Sequence, residues 1–391
     1  MKYDFDNVVN RKNTDCEKWD YLKEEFGRDD LLPLWVADTD FSAPEAVLKA
    51  IHDKVDQGAL GYPVFPDELY SAITGWFDRR HGWKVSNDSV CWAHGVISGL
   101  AFSILAYTKP GDGVIVQTPG YHNFFRVIDE AGRKLVRNPL IYKDGKFVMN
   151  LEELEKLVTP NCRMLVLCSP HNPVARVWTR EELEALAELA VRKNMIIITD
   201  EIHQDIVFSD AHHTCLGSLP GMESRCVTIT APSKTFNIPG VKASVAIIPD
   251  ETLRGQYVSV LERFHLNSLN ILGTAAMKAA YTECDEWLDQ LIAYLEKNRD
   301  YTEKFIKENM PKAHMDHPEG TFIFWIDFRG YGFNAETLND FLVNKARVAL
   351  SGGTEFGPEG DGFARINIGT NLATLKEALN RIAEALKKEF N

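Results

Sequence analysis

Three short segments of this sequence carry side chains that could hold and activate a cofactor. Residues 169–173 read SPHNP, residues 199–203 read TDEIH, and residues 231–237 read APSKTFN. Each segment follows or ends a short apolar run that is typical of a buried strand. Ligands of open parallel sheets bind beyond the carboxyl ends of the strands. We therefore expect an amide, a carboxylate, an imidazole and an amine to meet at one edge of a sheet.

The polar members of these segments, Asn172, Asp200, His203 and Lys234, are the groups that a pyridine-type cofactor needs. A lysine can carry a cofactor aldehyde as a Schiff base, and a carboxylate on the ring nitrogen keeps that nitrogen protonated. An amide or an imidazole can donate toward the ring oxygen. A cofactor phosphate would be bound by backbone N–H groups at a helix start, which the sequence offers at Gly95, Val96 and Ile97.

Each of these side chains also has a simpler explanation. Asp200 could be a magnesium ligand at a strand end, but the sequence has no G-x-x-x-x-G-K-[ST] loop. No G-x-G-x-x-G opens a helix, which argues against a nicotinamide site. Lys234 could be a surface lysine, His203 a buried structural histidine and Asn172 a turn residue. Residue types and spacing alone therefore predict an enzyme with a phosphate-bearing cofactor and no more.

Alternating strand and helix patterns must position these segments. Predicted helices include residues 96–107, 122–131 and 181–193, and the last opens with Thr179 followed three residues later by Glu182, a capping-box spacing. This alternation predicts an α/β fold with a mostly parallel sheet, covered by helices on both faces. The predicted strands are the apolar runs 113–118, 163–169, 195–200, 225–230 and 244–248.

The pattern changes after about residue 285 and predicts a smaller α+β domain. We expect a large cofactor-binding domain over residues 48–285, and a small domain formed by residues 1–47 and 286–391. The N-terminal segment should return to pack on the small domain. The predicted small-domain elements are a long helix over 287–309, a strand over 321–328, a helix near 335–345, a strand at 364–368 and a final helix from Leu372.

Composition narrows the class of protein. The chain of 391 residues is 45% hydrophobic and 25% charged, as in ordinary soluble proteins. Its net charge of −13 argues against nucleic acid or an anionic membrane surface as main partner. No apolar run approaches a membrane span, and the acidic N-terminus is unlike a secretory signal. The seven scattered cysteines lack a C-x-x-C pair. We therefore expect reduced thiols in the cytoplasm and no metal site.

Together with other motifs, these segments resemble fold-type-I pyridoxal 5′-phosphate (PLP) enzymes. Among the class I/II aminotransferase relatives, the chain is similar to the cystathionine β-lyases and cysteine-S-conjugate β-lyases. The resemblance runs nearly the whole chain. The motifs that carry it are 34–41 (LWVADTDF), 60–63 (LGYP), 118–121 (TPGY), 169–178 (SPHNPVARVW), 199–205 (TDEIHQD), 231–237 (APSKTFN), 318–321 (PEGT) and 363–367 (FARIN).

The resemblance implies catalytic roles at the cofactor ring. Lys234 would be the Schiff-base lysine that also moves protons, and Asp200 would pair with the ring nitrogen. Tyr121 would stack on the face of the ring. Asn172, with His203, would contact the ring oxygen.

The resemblance also implies binding roles around the ring. Arg365 would hold the substrate α-carboxylate, unless it forms a structural salt bridge, and the backbone at Ala37 and Asp38 would close over that carboxylate. Tyr62 would reach the phosphate of the neighbouring subunit of a homodimer. The remaining phosphate contacts would come from Gly95, Val96, Ile97 and Ser233.

Three positions depart from the pattern of the family. Ala175 stands where relatives often have glycine, which matters if the backbone there needs a positive φ. Thr39 replaces a common methionine. Lys242 stands near the position of a phosphate-binding arginine in many aminotransferases, and it could reach the phosphate or face solvent.

The activity implied by the resemblance is α,β-elimination. L-Cystathionine or a cysteine S-conjugate would be cleaved to a thiol, pyruvate and ammonia. An aminotransferase on the same scaffold shares every step up to the carbanion, and no single residue separates the two. A regulatory protein that keeps the fold is a third possibility, but Lys234, Asp200 and Arg365 are all retained.

Overall fold

The computed structural model describes residues 3–390, and a seven-stranded sheet forms its centre. The spatial order of the strands is β1-β7-β6-β5-β4-β2-β3, and only β7 runs antiparallel to its neighbours. The predicted α/β class with a mostly parallel sheet is confirmed. In chain order the strands are β1 (Val90–Ala93), β2 (Gly113–Thr118), β3 (Lys134–Pro139), β4 (Met164–Cys168), β5 (Ile196–Asp200), β6 (Cys226–Thr230) and β7 (Ser244–Ile247).

Both faces of the sheet are buried, because successive side chains of each strand point to opposite sides. Val116 of β2 and Ile198 of β5 belong to one core cluster. Ile115 and Ile197, their neighbours in sequence, belong to another cluster with Leu186 of a flanking helix. This two-sided burial explains the continuous apolar runs in the sequence. The edge strand β3 was not predicted, because its mixed, partly exposed sequence lacks such a run.

Helices of the central region alternate with the strands. The capping box predicted before one helix is present: the Glu182 N–H donates to Thr179 Oγ1, and the Thr179 N–H donates to a Glu182 carboxylate oxygen. The helices of this region are Glu45–Asp56, Asp67–His81, Val96–Tyr107, His122–Glu130, Leu151–Leu157, Arg180–Lys193, Pro232–Thr235, Glu251–Arg263 and Ile271–Glu283, with 3₁₀ turns at Asn87–Ser89, Leu216–Ser218 and Pro239–Val241 and a hairpin of Ile141–Lys143 and Lys146–Val148.

The C-terminal region contains a three-stranded antiparallel sheet formed by Ile323–Asp327, Phe363–Asn367 and Ser351–Gly352. The predicted helix near 335–345 is α-helical only at first and continues as a π-helix. The helical elements of this region are Asp285–Asn309, Ala335–Asp340, Phe341–Ala346 and Leu372–Phe390, with 3₁₀ turns at Arg329–Tyr331, Gly353–Phe356 and Pro358–Gly360.

The N-terminal segment returns to this C-terminal sheet. After two short helices, Glu17–Asp20 and Leu22–Phe26, the strand Leu32–Pro33 pairs in parallel with Val348–Ala349. The Asn367 N–H then donates to the carbonyl of Leu34 over 2.9 Å. These contacts carry residues 35–40 to the edge of the central sheet. The proposed domain boundaries stay a prediction, and residues 1, 2 and 391 lie outside the described range.

Ala175, which stands where relatives often have glycine, adopts a backbone conformation with positive φ. Its φ is +56°, in the left-handed region, and its side chain is buried. The Ala175 N–H donates to the carbonyl of His171, and its own carbonyl accepts from the Glu319 N–H, both over 2.9 Å. These bonds hold a backbone conformation that costs an alanine about 1 kcal/mol.

Two further expectations concern the whole chain. No helix within residues 3–390 is both long and apolar enough to cross a membrane. All seven cysteines are buried and carry free thiols.

Candidate active site

A cavity of about 210 Å³ lies at the carboxyl ends of the central parallel strands. Chain segments far apart in sequence meet there because each follows a neighbouring strand of one sheet. The predicted site residues that line it are Ala37, Gly95, Val96, Ile97, Tyr121, Asn172, Asp200, His203, Ser233 and Lys234. Arg365, Asp38 and Tyr62 are not among its lining residues.

Lys234 lies in a one-turn helix, Pro232–Thr235, directly after β6. Its Nζ donates to the carbonyl of Ala37, which the returning N-terminal segment supplies. Burial lowers the pKa of Lys234 to about 8, against the opposing effect of the Asp38 and Asp200 carboxylates. A lysine with this pKa is neutral in a useful fraction of molecules near pH 7, so it can act as a nucleophile or a base.

Asp200 is the last residue of β5, and its carboxyl group points into the same cavity. Burial raises its pKa to about 7, although a hydrogen bond from the Ile202 N–H (3.0 Å) and the charge of Lys234 favour the ionised form. A buried carboxylate with one such bond is poorly satisfied. Bringing a cation to its free oxygen would stabilise the charge.

His203 and Asn172 bring an imidazole and an amide to the cavity wall. Burial, with the nearby charges of Lys234 and Arg365, lowers the pKa of His203 to about 3, so the ring is neutral near pH 7. Its buried Nδ1 has no hydrogen-bond partner among residues 3–390. Asn172 Oδ1 accepts a hydrogen bond from Arg365 Nη1 over 3.2 Å. The Asn172 side chain therefore links the cavity to Arg365.

The N-terminus of the helix Val96–Tyr107 forms one end of the cavity. Gly95 begins this helix with a φ of +123°, a conformation that glycine adopts without strain. The first N–H groups of a helix lack partners within it and favour an anion. Sequence reasoning missed Ser98 and His94 on this wall. Ser98 could have been found, because it lies three residues after the capping glycine.

Lys242, whose role the sequence left open, also lines the cavity. It follows the 3₁₀ turn Pro239–Val241 and has a φ of +51°. Lys242 and the helix start at Gly95 thus belong to the wall of one cavity. A cation and free N–H groups together make this wall suited to a phosphate.

Arg365 lies buried on the strand Phe363–Asn367. Its Nη2 donates to the carbonyl of Trp35 (2.8 Å) and to Ser351 Oγ (3.1 Å). Its Nε has no hydrogen-bond partner, and no carboxylate within residues 3–390 forms a salt bridge with it. Burial lowers the pKa of this guanidinium to about 10. A buried cation without a carboxylate partner would be stabilised by a bound anion.

The remaining predicted residues differ in their relation to the cavity. Tyr121 lines it, and its hydroxyl accepts a hydrogen bond from Asn123 Nδ2 over 2.6 Å. The Asp38 carboxylate is held by two hydrogen bonds from Arg11, at 2.8 and 2.6 Å, so its side chain is not free for a substrate. Tyr62 is fully exposed and lies in a separate groove with Ile271.

Lys234 and Asp200 line one cavity at the strand ends, together with a helix start suited to a phosphate, and the buried Arg365 guanidinium donates to Asn172 of the same cavity. Residues 29–382 match the family model described as aminotransferase class I and II. Because this match covers most of the chain, the chain belongs to that family.

Individual relatives place the chain more narrowly. It is 41% identical to the protein of Bacillus subtilis named cystathionine beta-lyase PatB, over 98% of this chain and 99% of the relative. The crystal structure of cystalysin from Treponema denticola, which contains PLP, matches with a TM-score of 0.96 and 33% identity over both full chains. A PLP-bound C–S lyase from Staphylococcus hominis matches with a TM-score of 0.92 and 30% identity, again over both full chains.

Proposed function

We propose that this protein is a PLP-dependent carbon–sulfur β-lyase that cleaves L-cystathionine or other cysteine S-conjugates to a thiol, pyruvate and ammonia. The observation that carries the proposal is the meeting of Lys234 and Asp200 in one cavity. Both groups have a pKa within about a unit of neutrality. The 41% identity to a named cystathionine β-lyase and the likeness to PLP-bound structures support it.

The residues of the cavity fit PLP because their unsatisfied groups match its parts. The Asp200 carboxyl, with its raised pKa, would meet the ring nitrogen, and Lys234 would bind the aldehyde carbon. Asn172 and the unpaired His203 Nδ1 would serve the ring oxygen. The phosphate would be held by Gly95, Val96, Ile97 and Ser233, with Ser98 and Lys242 beside them. When bound, PLP supplies an electron sink for negative charge that develops at the substrate Cα.

The protein's own groups would then perform binding and proton transfer. Arg365 would hold the substrate α-carboxylate through its unpaired Nε and its Nη groups, in the two-pronged geometry that guanidinium favours. Tyr121 would fix the orientation of the ring. Once the substrate amine has displaced it from the aldehyde carbon, the neutral amine of Lys234 would take the proton from Cα, and the thiolate would then leave from Cβ. Hydrolysis of the remaining fragment consumes one water and gives pyruvate and ammonia.

An aminotransferase is the second candidate, and the description of the family model favours it. It uses Lys234 in the same way as far as removal of the Cα proton. Product analysis separates the two reactions. With L-cystathionine and no added keto acid, we expect pyruvate, ammonia and homocysteine in equal amounts. A strict requirement for a keto-acid acceptor, with no free ammonia, would replace the lyase proposal by the aminotransferase.

The proposed assembly is a homodimer in which Tyr62 completes the phosphate site of the partner. The reason is an exposed apolar segment: Leu60, Tyr62 and Val64 are 57%, 104% and 83% exposed. Such neighbouring exposed residues favour a protein–protein contact. We propose the cytoplasm as location, because seven free thiols suit a reducing compartment. A purely regulatory role is disfavoured by the intact set of Lys234, Asp200 and Arg365.

A further inference from the structure

A set of buried polar side chains lies beside the cavity and is not used by the proposed mechanism. It comprises Thr235, Asp205, His81, His213 and Glu201, and we call it the buried polar network. Burying so many polar groups is costly unless each is hydrogen-bonded. The network therefore needs a structural or functional reason.

Asp205 is the centre of the network and accepts three hydrogen bonds. Its Oδ2 accepts from Thr235 Oγ1 over 2.7 Å. Its Oδ1 accepts from Trp76 Nε1 over 3.0 Å and pairs with His81 Nε2 over 2.8 Å. Burial opposes ionisation of Asp205, but the hydrogen bonds and the charge interaction with His81 lower its pKa overall. Asp205 is thus an ionised anchor that joins the helix Asp67–His81 to Thr235.

Thr235 is the residue next to Lys234 and ends the one-turn helix that carries it. Two backbone bonds close this turn, from the Phe236 N–H to the carbonyl of Pro232 and from the Ile238 N–H to that of Ser233, both over 2.9 Å. A single helical turn is not stable by its own hydrogen bonds. The bond between Thr235 and Asp205 therefore ties this turn to a buried anchor, one residue from Lys234.

The other end of the network reaches the strand that carries Asp200. The rings of His81 and His213 meet edge to face, with centroids 5.6 Å apart. His213 Nε2 pairs with Glu201 Oε2 over 3.1 Å, and Glu201 directly follows Asp200. His81, His213 and Cys215 place potential metal ligands within 4.8 Å of one another, but the Nε2 atom of each histidine already pairs with a buried carboxylate.

We propose that Asp205 is a positioning residue for Lys234 and acts through the hydroxyl of Thr235. This inference rests on the proposed function, because it requires that Lys234 is the reacting amine. The effect is one of geometry: Asp205 is not among the charges that chiefly set the pKa of Lys234, whereas Asp38, Arg365 and Asp200 are. Losing the anchor should displace the amine from its working direction.

Thr235→Val is the test variant, because valine keeps the shape of threonine and has a methyl group in place of the hydroxyl. Thr235→Ser keeps the hydroxyl and lacks the methyl group. Thr302→Val is the matched control, since Thr302 is equally buried and its hydroxyl donates to the carbonyl of Asn298 over 2.7 Å, in the helix Asp285–Asn309. Three quantities are measured: the thermal midpoint of the cofactor-free protein, kcat and KM for L-cystathionine, and the pH midpoint of the visible absorbance of bound PLP.

For Thr235→Val we expect kcat to fall about 10-fold while KM stays within about 2-fold, because orientation is lost and substrate binding is kept. The pH midpoint of the absorbance should move by about 0.5 unit or more, because a redirected amine lies at different distances from the charges of Asp38, Arg365 and Asp200. Thr235→Ser should keep the kcat and the absorbance midpoint of the unmodified protein, and Thr302→Val should change only the thermal midpoint. If Thr235→Val does not fold, Asp205→Asn serves instead, with the same expected loss of kcat.

The inference is overturned if Thr235→Val loses thermal stability but keeps kcat and the absorbance midpoint of the Thr302→Val control. That result would make the bond a fold contact only. Failure of the unmodified protein to form a covalent bond between PLP and Lys234 would be a different result, because it would remove the proposed function itself.

Discussion

Asp200 and Asp205 are two buried carboxyl groups only five residues apart, and their surroundings differ sharply. Asp200 receives one hydrogen bond, from the Ile202 N–H, and burial raises its pKa to about 7. Asp205 is bonded to Thr235, Trp76 and His81, and its pKa is lowered. The first group has a free oxygen for a ligand, whereas both oxygens of the second already accept hydrogen bonds.

A similar contrast holds between the cavity and the carboxylates of the buried polar network. His203 lines the cavity, and its buried Nδ1 has no hydrogen-bond partner within residues 3–390. Arg365, which donates to Asn172 of the cavity wall, has a buried Nε that is likewise unpaired. In the network, the Asp205 and Glu201 carboxylates each have several donors. Buried polar groups that remain unsatisfied destabilise the fold unless a ligand completes them. Substitutions in the cavity should therefore abolish function and spare the fold, whereas substitutions in the network should affect both.

The largest effect should come from Lys234→Ala. We expect turnover to fall by about 10³-fold or more, because the nucleophile and base is removed. After borohydride treatment, mass spectrometry should find PLP attached to Lys234 in the unmodified protein and to no lysine in the variant. Lys242→Ala, a change in the same cavity wall, is the control and should keep the attachment. Attachment at a different lysine would refute the assignment of the site.

Arg365→Ala should raise KM by about 10- to 100-fold, since a charge-assisted hydrogen bond contributes about 1.5–3 kcal/mol. Steady-state kinetics with L-cystathionine measure this effect, and kcat should fall as well if the substrate loses its orientation. Arg365→Lys keeps the charge but not the two-pronged geometry, so its KM should lie between that of the unmodified protein and that of Arg365→Ala. An unchanged KM in Arg365→Ala would mean that this guanidinium does not bind the substrate.

Asp200→Asn tests whether Asp200, unlike Asp205, has a raised pKa, and the pH dependence of the free energy of unfolding is the measure. The folded-state pKa of Asp200 is about 7, above its ordinary value of 3.8. Between these values the folded protein holds a proton that the unfolded chain releases, so this stabilising contribution is present at low pH and is lost as pH rises toward 7. For the cofactor-free protein, the loss between pH 5 and 8 should be about 3 kcal/mol at most.

Denaturant unfolding at pH 5 and at pH 8, of the cofactor-free protein and of cofactor-free Asp200→Asn, measures how much stability each protein loses between the two pH values. The variant cannot titrate at this position, so its stability should depend less on pH. Equal pH dependence in the two proteins would show that Asp200 is already satisfied, as Asp205 is.

The smallest expected effect is that of Tyr62→Phe. The Tyr62 hydroxyl has no hydrogen bond in its own chain within residues 3–390 and faces solvent. If it binds the phosphate of a partner subunit, its loss should weaken retention of PLP about 10-fold, from one hydrogen bond to a charged group. Dialysis against buffer without cofactor measures the loss. Sedimentation should show a dimer, and a fully active monomer would contradict the proposed assembly.

The sequence predicted much of the region that surrounds the cavity. Continuous apolar runs identified β2, β4, β5, β6 and β7 within two residues at each end, because strands buried on both faces carry no alternation to confuse the pattern. The segments that follow β4, β5 and β6 brought Asn172, Asp200 and Lys234 to one cavity. The edge strand β3 was missed, since partial exposure removes the apolar signal.

What the sequence by itself determined was the order of the elements, the fold class, the family and the chemical types of the groups at the strand ends. These follow from local patterns and from motifs that each lie within about ten residues. Only the tertiary structure decided how those groups are satisfied. Arg365 meets Asn172 across 193 residues, and Trp76 meets Asp205 across 129. A pKa and a free bonding position depend on burial and on partners, and both are set by chain segments that the sequence does not place side by side.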